Sequence, residues 1–387
     1  MNDITFTKGA GGVPKTLAGE DHISGMVVYL ADADLPSGFT TTARIKSFAT
    51  IEAVEAAGIV ATSTVWKIKA LHYHLSEFFR MAPDGIIYVG LFKTPVSTYD
   101  YAEIKTLQNF ADGRIRQCGV FLPDVDFAAS IITGLQGVAT LLEAQHMPLS
   151  IMLAANVDAV SGLAAVAATG QANVSVIIGQ DGDGVAATLF ADETSGASVT
   201  CLGLALGAVS KAAVNECIAW VLKFPSGISN PALCDGSIIS EIDQSVLTGL
   251  DTKRFIFLRK LTGIAGSYFN DSHTMDVATS DYAYIEAVRT IDKAIRGIRT
   301  YVLPYLAMPI YVNPDTGKLR QDTVSFLEDL GGQALIAMEK AGELSGYRCV
   351  VDPEQNVLQS STVDFNIVQV GVGVMRKVSV KIGYTTK

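Results

Sequence analysis

From Ile23 to Leu30 the chain is almost continuously apolar, and the same is true of Ile86 to Phe92, Ile115 to Leu122, Leu149 to Ala154 and Val174 to Ile178. Short apolar runs of this kind predict strands buried on both faces. Between them lie stretches with helical character: Thr50 to Ala57, Thr64 to Met81, Tyr101 to Ala111 and Ala128 to Glu143. Thr50 is placed to cap the first, with Glu52 in its opening turn, and Pro83-Asp84-Gly85 stops the second. Strands alternating with helices predict right-handed crossovers and a partly parallel sheet. The expected fold class is therefore α/β, passing to α+β where the pattern changes towards the C-terminus.

Residues 181–255 are less regular. Val209 to Val221 is expected to be a helix, Leu222 to Pro231 an extended loop, and Phe255 to Leu258 a strand. Asp281 to Leu303 carries the strongest helical period: Ile285, Val288, Ile291, Ile295, Ile298 and Val302 form one face, and Pro304 ends it. Arg289, Lys293, Arg296 and Arg299 form the opposite stripe. Asp322 to Ala341 predicts a second helix, with Asp322 as N-cap and an interruption at Gly331-Gly332. Two strands follow. One is Phe365 to Val374, with Val368, Val370, Val372 and Val374 on one face. The other places Val378, Val380, Ile382 and Tyr384 on one face. Near the N-terminus, Ile4 and Phe6 alternate with Thr5 and Thr7, ahead of a glycine tether at Gly9 to Gly12. A short strand on a flexible tether has no stability alone and needs a sheet edge to join. A strand at each end suits pairing between molecules. The division expected is an arm and linker over 1–20, an α/β body over 21–254, and a C-terminal domain over 255–387 whose own arm begins at about 376.

Composition sharpens this picture. The chain has 387 residues, 49% of them apolar and 18% charged, with a net charge of -10. That is ample apolar chain for a full core, and its acidity is a poor match for nucleic acid or an anionic membrane. The charge-free stretch Ala159 to Gln180 carries Ser161, Gly170, Gln171 and Asn173. It is expected to be a small-residue helix, a turn at Gly170 and a buried strand rather than a membrane span. Five dispersed cysteines without a CxxC pair predict reduced thiols. The first residues lack the basic and apolar regions of a secretory signal, so cytoplasmic synthesis is expected.

Candidate chemistry is sparse. There is no G-x-S-x-G, H-E-x-x-H or Walker A pattern. Gly179 to Gly184 spaces Asp181 and Asp183 as a calcium loop does, but Val185 and Ala186 stand where an oxygen ligand and a glycine are needed. A strand-end turn is expected there. His72 and His74, two apart on a helix, point away from one another. Asn270, Asp271 and His273 lack a nucleophile beside them and are expected to form a capping and turn cluster. No cofactor, metal or catalytic residue is expected.

Several strings in the last third carry a resemblance: Leu261 to Asp271, Ser280 to Ile285, Val288 to Arg296 and Tyr311 to Lys318, followed by Gly342 to Tyr347, Asp352 to Val357 and the valine-rich strands. Together they resemble the tail sheath family of contractile phages, R-type pyocins and related injection systems, nearest to sheath-like proteins of Bacteroidota phage-tail-like elements. The likeness covers residues 255–387 well and residues 21–93 loosely. It implies a structural subunit, not an enzyme, that stacks in hexameric rings around an inner tube and also meets baseplate and terminator proteins. It implies that arms at Ile4, Thr5, Phe6 and Thr7 and at Val378, Val380, Ile382 and Tyr384 complete sheets in neighbouring copies. By the same analogy the C-terminal domain faces the tube, with Arg289, Lys293, Arg296 and Arg299, or the helix after them, as candidate contacts. Neither nucleic acid nor membrane insertion is expected. The alternatives are a nucleotide-binding α/β enzyme and another phage structural protein of capsid or baseplate type.

Overall fold

The computed structural model describes residues 20–192 and 197–385. The N-terminal strand expected at Ile4, Thr5, Phe6 and Thr7 lies outside the described residues.

The body begins with β1 (Ile23–Leu30), β2 (Ile45–Phe48), α1 (Ile51–Ala56), α2 (Trp66–Met81), β3 (Ile86–Lys93), α3 (Ala102–Phe110), β4 (Gln117–Phe121), α4 (Ala129–Ala144), β5 (Ser150–Ala154) and β6 (Val174–Ile177). Six strands form one sheet in the order β2-β3-β1-β4-β5-β6. All neighbours are parallel except β2, which runs antiparallel to β3 at the edge. Every residue of β1, near the sheet's centre, is buried. That explains its unbroken apolar run: helices cover both faces, so no position needs to be polar. Thr50 does cap α1, accepting a hydrogen bond from the Ala53 N–H.

The chain continues through β7 (Gly179–Asp181), α5 (Val185–Asp192), α6 (Leu202–Lys211), β8 (Pro231–Leu233), α7 (Gln244–Thr252), β9 (Leu258–Arg259) and β10 (Tyr268–Phe269). One face of the large sheet packs against α2 and α6, through Leu71, Leu75, Phe78, Leu202 and Leu206. The other packs against α3, α4 and α7, through Leu107, Leu135, Leu142 and Leu250. The helices α2 and α6 cross so closely that a Cβ on Gly203 would lie 1.9 Å from the His74 carbonyl oxygen. Only glycine fits that crossing.

Three expectations need correction here. The helix expected at Val209 to Val221 is α6, which lies earlier. It is buried along its whole length, so it shows no polar face to mark its limits. Ala159 to Ala168 holds a single short 3₁₀ turn at Val160–Gly162, not a helix. The boundary expected at 255 falls inside the core: Phe255 and Phe257 pack under one face of the sheet, and Ile256 and Leu258 under the other. Residues up to about Met275 therefore belong to the α/β body.

After α8 (Ile285–Val302) come a 3₁₀ turn at Leu303–Tyr305 and then α9 (Gln321–Lys340), β11 (Leu344–Val351), α10 (Val357–Ser360) and β12 (Phe365–Gly371). All five cysteines are free thiols, four of them buried. Among the described residues, no helix is long and apolar enough to cross a membrane, and no cluster of side chains is arranged to hold a metal ion.

Candidate functional site

The C-terminal unit is small. Its helices α8 and α9 meet where a Cβ on Gly297 would come within 2.7 Å of the Ala334 side chain. Ala294, Leu335, Met338 and Leu344 form one small core, and Leu319, Val324, Leu327 and Val351 another. The sheet on top has only two strands, β11 and β12, paired antiparallel from Val351–Phe365 to Leu344–Gly371. The helix α9 runs through Gly331-Gly332 without the expected break. A Cβ on Gly331 would lie 2.9 Å from Cys349 Sγ and 3.0 Å from the Phe365 ring, so the glycines admit the hairpin. Asp322 does not cap α9; its N-cap position is Arg320.

Two features leave this sheet unfinished. Its outer edges pair with nothing among the described residues. Its valine face points outward: Val368 and Val370 are each 57% exposed, while Phe365 and Ile367 turn towards α9. A two-stranded sheet is marginal by itself and gains from further strands.

Beyond β12, residues 372–385 belong to no strand. Val378, Val380, Ile382 and Tyr384 are 67% to 109% exposed, the pattern of a strand without its sheet. A cavity of about 520 Å³ separates the start of this segment from α8. Its foot is fixed by one residue, Arg376. Arg376 Nε donates to both carboxylate oxygens of Asp271, at 2.9 and 3.0 Å, and Nη2 donates to Glu286. Its guanidinium lies 3.5 Å from the centre of the Tyr284 ring. Partial burial alone would lower the Arg376 pKa, but Asp271 and Glu286 hold it above the ordinary arginine value. Glu286 opens α8, where the helix dipole favours a carboxylate.

The basic stripe on α8 is not a free face. Arg289 is 4% exposed and donates to the Ala212, Ala213 and Asp21 carbonyls. Lys293 Nζ lies 2.7 Å from Asp21 Oδ2 and also pairs with Glu343, just ahead of β11. Arg296 lies 3.3 Å from Asp21 Oδ1. Burial would raise the Asp21 pKa, but Lys293, Arg289 and Arg296 bring it below its usual value. Glu20 pairs with Arg116 beside it. Three of the four stripe residues are thus spent inside the subunit, against the chain's acidic entry into β1, and only Arg299 is exposed. Periodicity located the stripe correctly. Its shared partner Asp21 lies 268 residues from Arg289 in sequence, which no local pattern reveals.

The other candidates are structural. Asp181 accepts from the Asp183 and Gly184 N–H groups at 3.3 and 3.2 Å, the expected turn after a strand. Asn270 bonds the Phe257 N–H, the Phe255 carbonyl and Asp251, and His273 Nε2 lies 3.1 Å from Asp251 Oδ1. Asp271, placed with them by sequence, serves Arg376 instead. Arg376, Tyr284, Glu286, Glu20 and Asp21 were not singled out by sequence. The available signal was one arginine directly before an alternating apolar segment and two adjacent acids directly before the first strand.

An α/β body, a two-helix unit and a two-stranded sheet beside a terminal segment outside any strand make up a fold shared with contractile sheath proteins. A chain of the anti-feeding prophage baseplate matches with TM-score 0.62 at 15% identity, covering 99% of both chains. A chain of the sheath complex of an extracellular contractile injection system, PVC, in its contracted state matches with TM-score 0.61 at 11% identity, again over 99% of both. The sheath tail protein of Desulfitobacterium hafniense matches with TM-score 0.54 at 10% identity, over 95% of this chain and all of that one. The chain belongs to the DUF2586 family: residues 33–273 match its N-terminal domain and residues 281–387 its C-terminal domain. The gap between the two family domains falls just before α8, in agreement with the core packing. No curated protein matches the sequence.

Proposed function

We propose that this chain is the structural subunit of a contractile sheath. Copies stack as hexameric rings around an inner tube, and the assembly shortens to drive the tube through a target envelope. The observation that carries this reading is a two-stranded sheet with open edges and an exposed, alternating apolar segment at Val378 to Tyr384, in one chain whose whole length follows the sheath fold. Residues 4–8 from one neighbour and 377–384 from another would extend β11–β12 on both edges, linking rings through backbone hydrogen bonds. Such links let subunits rotate without parting. The work needs no covalent chemistry, cofactor or metal. The particle is a phage tail or a phage-tail-like device, with tube, baseplate and terminator proteins as partners and neither nucleic acid nor membrane contacted by this chain. With most of the basic stripe turned inward, Arg299 and the solvent side of α9 are the proposed tube contacts.

Negative-stain electron microscopy of the purified chain tests this directly. Full-length protein should form hollow tubes with a helical lattice. Deleting residues 1–8 should leave circular dichroism and the melting temperature unchanged and abolish the tubes. Normal tubes from the truncated chain would remove the arm from the account.

A further inference from the structure

The two ends of the described chain are held by the same helix with opposite charge. The acidic entry at Asp21 sits on the basic middle of α8, at Arg289, Lys293 and Arg296, while Glu20 beside it pairs with Arg116. The basic exit, Arg376, sits on the acidic start of α8, at Glu286, and on Asp271. Glu286 and Lys293 are seven residues apart, about 10 Å along a helix that rises 1.5 Å per residue. Lys293 also reaches Glu343, so the sheet begins on the same helix.

We propose that α8 is a common mount that fixes the roots of both arms, and the sheet that accepts strands, as one rigid unit. The inference rests on the sheath reading for its purpose but not for its geometry. These attachments are largely screened from water. The exposed fraction of the side chain is 21% for Asp21, 19% for Arg296, 14% for Asp271 and 8% for Glu286. Shielded pairs resist salt better than surface pairs. Their reversed polarity also prevents exchange of the arms. Arg376 would meet like charge at Lys293 and Arg296, and Asp21 would meet like charge at Glu286 and Asp271. The mount therefore fixes where the chain enters the body, at Asp21. In a sheath, a pull on one arm would then pass through α8 to the other arm and to the accepted strands, instead of being lost in the loops.

The test uses the full chain with Cys349→Ser, spin-labelled at His22→Cys and Lys377→Cys. Distances are read by pulsed electron resonance on free subunits, and assembly by light scattering and microscopy. The labelled parent should give one narrow distance distribution. Asp21→Asn or Arg376→Gln should broaden it without changing the circular dichroism spectrum, and should raise the concentration needed for assembly about tenfold. Arg376→Lys, which keeps the charge but loses the fork and ring contact, should fall between. A broad distribution in the parent overturns the mount, as do variants with unchanged distances and unchanged assembly. A narrow parental distribution with no tubes keeps the mount and removes the sheath reading instead, so the two failures are separable.

Discussion

His74 shows how burial alone sets the behaviour of a residue. It lies on α2 with no exposed surface, and neither ring nitrogen has a hydrogen-bond partner. Its ring meets Phe121 edge-on at 4.8 Å and lies 5.5 Å from Tyr73. Burial lowers its pKa to about 3. An unfolded chain takes up this proton near pH 6.5, whereas the folded chain does not. The stability linked to His74 is therefore complete above pH 6.5 and is lost as pH falls from there towards 3, at up to about 1.4 kcal/mol per pH unit. His74→Phe keeps a ring in place and removes the proton. Urea unfolding between pH 6.5 and 4 should show a flatter loss of stability for the variant. An identical acid slope in both proteins would mean that His74 is protonated in the folded state. Arg289 and Asp21 follow the opposite rule: their charges are kept inside the protein because each meets a partner.

At the scale of elements, the α/β body was largely legible and the C-terminal sheet was not. The strands β1, β3, β4, β5 and β6 are buried on both faces, so their apolar runs were plain. The helices α2, α3 and α8 each have a polar side and showed their period. By contrast α6 packs on every side and carries Gly203 and Gly207 where Cβ atoms would strike α2, so neither period nor propensity marked it. The strand β11 was missed because Leu344 to Val351 faces α9 only in part and mixes Ser345, Gly346 and Arg348 into the run. Val368 and Val370 were placed on one face correctly, yet that face is exposed. Apolar alternation gives a shared side and does not tell whether the subunit itself covers it. The arm roots were illegible for another reason: their ion pairs join residues far apart in sequence. Gly331 offers a test at this scale. Gly331→Val would press on Cys349 and Phe365, at a cost of roughly 1–3 kcal/mol for overpacking. Hydrogen exchange should then show protection lost in β11 and β12 while β1 and β3 keep theirs. Equal loss in both regions would mean that the two units unfold together.

At the scale of the whole molecule, the proposed assembly is governed by what the subunit leaves uncovered. On the proposed reading the rings shorten because the short form has the lower free energy, so subunits assembling without tube or baseplate should reach it directly. Cryo-electron microscopy of tubes from purified protein should therefore show the contracted lattice alone. A majority of extended tubes under those conditions would contradict a strained long form. The same open surfaces have a second consequence, for the free subunit in the cell. Bare sheet edges beside an exposed valine face and an alternating apolar segment are also the ingredients of cross-β aggregation. Lys377 and Lys381 place charge within that segment, and Gly383 weakens it as a template. These gatekeepers slow misassociation but cannot abolish it, because on the proposed reading the segment must still pair with a correct neighbour. Production of such a chain is safest when growing ends consume it as fast as it is made.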